Sequence, residues 1–175
     1  MEALSFESLT VDRIALQRPN FASEVASVLP HVDILFGNET ELRTTAETFG
    51  LKDATSDEAI VLGLSRLLLP TSGKKNRVVV MTRGADPVVF CHGGVVDSVP
   101  LSVVPVAKVV DATGCGDSLV AGFLAEFTSQ NLSQGIESLT ADTVRSCIVT
   151  GIRAAQYVVS QPGCSVPETA QKWWD

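Results

Sequence analysis

Blocks of apolar and polar residues alternate along the chain and predict strands and helices in turn. Short runs rich in β-branched residues, bounded by turn residues, predict strands over 32–36 and 77–82. The helical spacing of apolar residues predicts helices over 21–29, 39–48, 57–69, 117–130 and 140–160. This alternation indicates an α/β fold with a mostly parallel central sheet flanked by helices.

Two further strands, over 88–91 and 95–99, flank the pair Gly93 and Gly94. Paired glycines accept the positive φ angles of a two-residue turn, so this stretch predicts an antiparallel hairpin at one edge of the sheet. The segment 71–76 is polar and predicts a loop.

Length and charge exclude several classes of protein. The 175 residues, 45% of them hydrophobic, predict a single domain over 1–175. No apolar run approaches the roughly 20 residues that cross a bilayer, so no membrane contact is expected. The net charge is −7 and the longest basic run is Lys74 and Lys75, which argues against a nucleic-acid partner. These lysines and Arg77 are expected in a solvated loop and at the start of a strand.

The four cysteines lie far apart in the sequence and include no C-x-x-C pair. This spacing is typical of neither a zinc site nor a disulfide framework, so reduced thiols are expected. The first residues lack the basic and apolar segments of a secretory signal, and we therefore expect a cytoplasmic protein. The cysteines are Cys91, Cys115, Cys147 and Cys164.

The stretch DATGCGDSLVAGF, residues 111–123, places glycines directly before an apolar helix. After 109–110, Gly114 and Gly116 are expected in a strand-to-helix turn, where free N–H groups and the helix dipole favour an anion. Asp117 either caps the first helical turn or takes a proton from a hydroxyl group during phosphoryl transfer. The residues alone leave both roles open. Neither the P-loop pattern nor the dinucleotide-binding pattern occurs here.

A second candidate site follows the strand at 32–36. Asn38 and Glu41 have the spacing of a capping box, in which each side chain bonds the backbone N–H of the other residue. The same two groups can hold, through water, the Mg²⁺ that accompanies a nucleoside triphosphate. The two roles are compatible.

Together these motifs resemble the ribokinase-like (PfkB) carbohydrate and nucleoside kinases. The resemblance is strongest to the C-terminal half of the adenosine kinases of that family, and its order and spacing hold from about 22 to 168. The stretches that carry it are VDILFGNETE at 32–41, TRGAD at 82–86, the signature at 111–124, and the stretches at 154–159 and 163–168.

The resemblance implies a partial three-layer ribokinase-like fold and the nucleotide-binding half of a kinase. It implies transfer of the γ-phosphoryl group of ATP to the 5′-hydroxyl of a nucleoside, with adenosine as the expected acceptor and another sugar as an alternative. ATP and Mg²⁺, with K⁺ as a further ion, are the implied cofactors. A nucleotide-binding or regulatory remnant without catalysis is the other interpretation.

By position, the resemblance implies that Asp117 is the catalytic base. The backbone of Gly114, Cys115 and Gly116 would form the anion hole. Two positions depart from the family pattern, since Ala112 stands where Thr is usual and Cys115 where Ala is usual. A thiol at this position can make activity sensitive to oxidation.

The same carry-over assigns the remaining groups of the site. Asn38 and Glu41 would organise Mg²⁺, and Thr82 and Gly84 would lie near the nucleotide phosphates. The other implied ligands are Gly163, in the adenine region at 152–164, and Asp111 and Thr113, for a monovalent cation.

Members of this family are considerably longer than 175 residues. The resemblance therefore implies that the N-terminal sugar-binding part and the lid are absent, and nothing in 1–20 replaces them. An exposed sheet edge is expected, which favours oligomerisation.

Overall fold

The computed structural model describes residues 8–10, 20–51, 54–69, 77–130 and 139–164. These residues form two compact units. We call the described residues up to Ser98 the sheet unit and those from Val99 onward the helix unit. The single domain expected over 1–175 stays a prediction. The expected loop at 71–76, with its lysines, and the closing stretch after 164 lie outside the described residues.

The elements of the sheet unit follow each other in the order β1 (Ser8–Thr10), α1 (Phe21–Val28), a 3-10 turn (Leu29–His31), β2 (Ile34–Asn38), α2 (Glu39–Thr48), α3 (Asp57–Arg66), β3 (Val78–Arg83), β4 (Asp86–His92) and β5 (Val95–Val99). The elements of the helix unit are a 3-10 turn (Val106–Lys108), α4 (Cys115–Ser129) and α5 (Ala141–Val158). None of the described helices is both long and apolar enough to cross a membrane.

The five strands form one sheet in the order β1-β2-β3-β4-β5. The pairs β1-β2 and β2-β3 are parallel, whereas β4 runs antiparallel to β3. Gly93 and Gly94, with φ angles of 58° and 79°, form the two-residue turn between β4 and β5 at the edge of the sheet. The predicted α/β class and the edge hairpin are confirmed, with the parallel strands at one end of a mixed sheet.

Apolar side chains of three helices cover one face of this sheet. Alternate residues of the strands point to this face. The intervening residues, such as Ile34, Val80 and Phe90, are buried as well, so β2, β3 and β4 are buried on both faces. The helices contribute residues at helical spacing. The members of this core are Phe21, Val25, Leu42, Ala46, Ile60, Val61 and Leu64 from the helices, Leu29 and Val32 from the 3-10 turn and the residue after it, and Leu35, Val79, Met81, Val89 and Cys91 from the strands.

Arg77 contradicts its predicted place at a solvated strand start, because it is only 1% exposed. Its guanidinium donates to the carbonyls of Val32 (2.9 Å), Leu64 (3.1 Å), Leu67 (2.9 Å) and Leu29. Burial lowers its pKa to about 10, and the negative charge of Asp33 opposes that change. The side chain thus donates to carbonyls at the ends of α3 and of the 3-10 turn. The carbonyls of Leu29 and Leu64 also accept a backbone N–H, from Val32 and Leu67.

In the helix unit, α4 and α5 pack closely through glycine. A Cβ atom on Gly122 would lie 2.9 Å from Ala154 Cβ and from Gly151 Cα, and one on Gly151 would lie 2.5 Å from the carbonyl oxygen of Leu119. Phe123 and Phe127 of α4 stack with 6.5 Å between ring centroids. The small residues therefore set the distance between the two helices.

The structure differs from the local expectations at four places. No strand is present among residues 100–114; instead the N–H groups of Val110 and Asp111 both bond the carbonyl of Val159 (2.8 and 3.2 Å). The helix α4 begins two residues before Asp117, at Cys115, because Gly114 turns the chain directly into it. The helix α3 ends at Arg66 rather than at 69. Residues 8–10, where no element was predicted, form β1.

Candidate active site

The first turn of α4 presents backbone donors. Its N-cap is Gly114, in the left-handed conformation with φ 77° and ψ 3°, and it offers no side chain to cap the helix. The N–H of Cys115 bonds the carbonyl of Ala112 at 3.2 Å. Among the described residues, no acceptor takes the N–H of Gly114, Gly116 or Asp117. These donors are available to an anion at the positive end of the helix dipole.

Asp117 is the third residue of α4 and is exposed. No described donor bonds its carboxylate, so it is not folded back onto the helix end as a capping residue would be. The carboxylate therefore lies in solvent beside the open amides. That combination suits proton abstraction next to a bound oxyanion.

Asp111 fixes the loop that precedes this turn. Its Oδ1 accepts the N–H of Thr113 at 2.8 Å, and its Oδ2 accepts the N–H of Gly163 at 3.2 Å. The hydrogen bonds from Thr113, and then that from Gly163, hold the pKa of Asp111 below its usual value. The carboxylate thus joins the loop before α4 to the loop after α5. Asp111, Thr113 and Gly163, predicted from separate motifs, are brought together here.

Two cysteines lie at the same turn. The sulfur of Cys115 is 3.7 Å from the carbonyl oxygen of Ala155, and partial burial, with the nearby Asp111 and Cys164, raises the pKa of its thiol. Cys164 lies against Gly114: a Cβ atom there would overlap the sulfur of Cys164 and lie 2.7 Å from its Cβ. The left-handed φ and this contact both require glycine at the helix cap.

In the sheet unit, Asn38 and Glu41 form the predicted capping box. Asn38 Oδ1 accepts the N–H of Glu41 at 3.0 Å, and Glu41 Oε2 accepts the N–H of Asn38 at 2.7 Å. Glu41 Oε1 accepts no hydrogen bond from a described residue. An amide and a carboxylate oxygen at a partly exposed helix start fit Mg²⁺ held through water. No group of three His, Cys, Asp or Glu side chains in the described ranges could ligate a metal.

Thr82 and Gly84 lie at the same edge of the sheet as the capping box. Asn38 and Thr82 are register partners at the ends of the parallel strands β2 and β3. Gly84, with φ 60°, turns the chain from β3 into β4. Carboxyl ends of parallel strands are where open α/β sheets bind ligands. The sheet unit thus gathers Asn38, Glu41, Thr82 and Gly84 at one edge.

The sequence analysis missed two features of these sites. Arg83, between Thr82 and Gly84, donates to Asp57 at 3.1 Å, and Arg43 donates to the same carboxylate at 2.9 Å. The charge of Arg83 is therefore already compensated by the start of α3. The second feature is the contact of Cys164 with Gly114, since Cys164 was expected to be an isolated thiol. The only signal in the sequence for this contact is that Cys164 lies inside a family motif.

Comparison with known proteins shows which family and which relatives this chain resembles. Residues 3–171 match the model of the pfkB family of carbohydrate kinases. Adenosine kinase 1 of Arabidopsis thaliana is 38% identical over 141 residues, which are 80% of this chain and 37% of that protein. The adenosine kinase of Schizosaccharomyces pombe is 35% identical over 117 residues, 67% of this chain and 33% of that protein. The chain thus spans well under half the length of these relatives.

Solved structures give the same result for the fold. Trypanosoma brucei brucei adenosine kinase superposes with a TM-score of 0.72 at 27% identity, over 89% of this chain and 43% of that one. Anopheles gambiae adenosine kinase in complex with P1,P4-di(adenosine-5) tetraphosphate gives a TM-score of 0.65 at 32% identity, over 85% and 42%. The fold expected from the motifs is confirmed.

Proposed function

Because the chain belongs to the pfkB family of carbohydrate kinases, we propose that it transfers the γ-phosphoryl group of ATP to the 5′-hydroxyl of a nucleoside, with adenosine as the acceptor. The observation that carries this proposal is the exposed carboxylate of Asp117 beside the open amides of Gly114 and Gly116. The relatives named above, which are adenosine kinases, support the choice of acceptor.

In this proposal Asp117 takes the proton of the acceptor hydroxyl as that oxygen attacks the phosphoryl group. The N–H groups of Gly114 and Gly116 bind the phosphoryl oxygens, where negative charge is concentrated during transfer. The N–H of Cys115 joins them if its 3.2 Å bond to Ala112 opens. The amides lie on a helix start, so they are fixed before the substrate arrives.

The remaining groups position the nucleotide. Thr82 and Gly84 lie near its phosphates, and the loop at Gly163 lies near adenine. Magnesium bound with ATP supplies neutralisation of the phosphate charge, and Asn38 and Glu41 are the residues that would hold it through water.

A monovalent cation and a self-association surface belong to the same proposal. Asp111 and Thr113 would border a cation such as K⁺, although both oxygens of Asp111 already accept N–H groups. An exposed edge of the sheet is the surface through which copies would associate. The cytoplasmic location stays a prediction.

A nucleotide-binding module without turnover, or a kinase of another sugar, is the alternative function. This chain aligns with 37% of the A. thaliana protein, so the choice between the functions depends on the assays below and not on that share.

The test is phosphorylation by the purified chain with ATP, Mg²⁺ and adenosine or ribose. We expect product from adenosine, and a loss of about 10²–10⁴-fold in Asp117→Asn because the base is removed. Asp142→Asn, an exposed acid in the first turn of α5, is the matched control and should keep the full rate. Equal rates in wild type and Asp117→Asn would contradict the proposal.

Calorimetry with ATP separates the alternatives. Binding of ATP that needs Mg²⁺, without product from any acceptor, would assign the chain to the nucleotide-binding module. Product from ribose and none from adenosine would assign it to another sugar.

The metal assignment has its own measurement. Glu41→Ala should weaken the dependence of ATP binding on Mg²⁺, whereas Glu39→Ala, a neighbouring exposed acid, should not. An unchanged Mg²⁺ titration in Glu41→Ala would leave Glu41 as a capping residue alone.

A further inference from the structure

Two cysteines from distant parts of the sequence meet at the cap of α4. The Cα of Cys164 lies 3.7 Å from the position of a Cβ on Gly114, and Cys115 is the next residue. Since adjacent Cα atoms are about 3.8 Å apart, the Cα atoms of the two cysteines lie within about 9 Å. The sulfur of Cys164 lies against Gly114, the residue directly before Cys115, and the Cys164 thiol is one of the groups that raise the pKa of Cys115.

Exposure distinguishes this pair from the other cysteines. Cys164 is exposed and Cys115 is partly buried, so a small reagent reaches the first from solvent and the second lies behind it. Cys91 and Cys147 are each 0% exposed. The thiols of Cys91 and Cys147 thus serve as internal controls that a reagent in solvent should not reach.

We propose that Cys115 and Cys164 form a dithiol modification site, which hydrogen peroxide converts into a disulfide across the cap of α4. The sulfur of Cys164 attacks one peroxide oxygen, the O–O bond breaks, and water leaves as a sulfenic acid forms. The sulfur of Cys115 then attacks the sulfur of Cys164, the S–O bond breaks, and a second water leaves. The two thiols lose two electrons, and peroxide is reduced to two molecules of water.

The bridge would change the surface in front of the amides. Gly163 is held by Asp111, so the short segment before Cys164 moves little when the sulfur is drawn toward Cys115. The bridge would lie at Gly114, whose N–H is one of the open amides, because the sulfur of Cys164 already lies against that residue. Weaker phosphate binding in the oxidised chain follows, and this consequence alone rests on the proposed function.

The experiment treats the full chain at low concentration with peroxide, alkylates the free thiols and maps the peptides by mass spectrometry. We expect a peptide pair that joins Cys115 to Cys164, with two hydrogens lost and recovery by dithiothreitol. Cys91 and Cys147 should remain alkylatable after unfolding. In Cys115→Ala and Cys164→Ser no such pair should form, and thermal unfolding of both variants checks that they fold.

Several outcomes would overturn the proposal. They are a disulfide only between two chains, oxidation of Cys164 in the wild type that stops at sulfinic acid, or equal oxidation of Cys91. None of these outcomes depends on phosphoryl transfer. A failure of the disulfide proposal can therefore be told apart from a failure of the kinase assay on the reduced chain.

Calorimetry on the oxidised chain measures the consequence. The Kd for ATP should rise by about tenfold or more, as expected for the loss of one hydrogen bond to a charged group, and should return on reduction. An unchanged Kd in a chain mapped as bridged would overturn the proposed effect on phosphate binding.

Discussion

The helices α2 and α4 each carry an acid at their third residue, and the two acids are in opposite states. Glu41 of α2 accepts the N–H of Asn38 at 2.7 Å. Asp117 of α4 is exposed and accepts no hydrogen bond from the described residues. The difference lies in the cap: Asn38 has a side chain that closes the helix start, and Gly114 has none. A glycine cap leaves both the amides and the acid available for chemistry.

The same contrast extends to other charged groups. In the sheet unit, Arg77 donates to backbone carbonyls and Asp57 is paired with Arg43 and Arg83. These charged side chains stabilise the fold and are engaged in hydrogen bonds and ion pairs. The charged side chains of the sheet unit thus stabilise its structure, whereas the carboxylate of Asp117 in the first turn of α4 is exposed to solvent.

The largest expected effect is on the buried charge. Arg77→Met removes a guanidinium that donates to four carbonyls and leaves the nearby Asp33 without its positive charge, and should lower the free energy of unfolding by about 3–5 kcal/mol. Urea unfolding measures the loss. Arg153→Met, an exposed arginine of α5, should change it by less than about 0.5 kcal/mol. Similar losses of unfolding free energy in the two variants would contradict the expected difference between a buried and an exposed arginine.

The second prediction compares two glycines with positive φ. Gly84→Ala meets no atom within 4 Å, so it should cost only the left-handed strain of about 1–2 kcal/mol. Gly114→Ala carries the same strain and also collides with Cys164, and should cost more. Thermal and urea unfolding of both variants give the difference. A smaller loss for Gly114→Ala would show that its cap is not tightly packed.

The third prediction tests the two helix starts directly. Asn38→Ala removes a side-chain cap and should cost about 1 kcal/mol of stability. Asp117→Ala removes an exposed group that bonds no described residue, and should change stability by less than about 0.5 kcal/mol. Equal losses in urea unfolding would mean that Asp117 is also a capping residue.

The smallest effect concerns the pKa of Asp111. Hydrogen bonds from Thr113 and Gly163 lower this pKa in the folded state, so the carboxylate stabilises the fold fully only above its unfolded value, near 3.8. The contribution is lost as the pH falls through the lower folded pKa. The stability advantage of wild type over Asp111→Asn should therefore hold at pH 7 and decline below pH 3.8. An advantage independent of pH down to 2 would contradict this.

Local patterns predicted much of the fold. The helix α2 has its predicted bounds, because a capping box and helical periodicity agree over a short distance. The hairpin turn at Gly93 and Gly94 is likewise fixed by residues next to each other. In the candidate site, the capping box at Asn38 and Glu41 followed from spacing, and the open amides followed from the glycines of α4.

Contacts between distant residues could not be predicted in this way. Nothing near Arg77 indicates that carbonyls from α3 and from Val32 converge on it. Residues 109–110 have the composition of a strand but form none, since the N–H of Val109 bonds Val106 and the N–H of Val110 bonds Val159. The contact of Cys164 with Gly114 depends on how the loop after α5 returns to α4.

The glycine contact between α4 and α5 has a mechanical consequence. Because a Cβ on Gly151 would collide with the backbone of Leu119, the two helices have no room to slide or rotate against each other. The two helices are therefore expected to move together as one body. Backbone amides on the two facing stripes should exchange with deuterium at a common rate, as a single cooperative block.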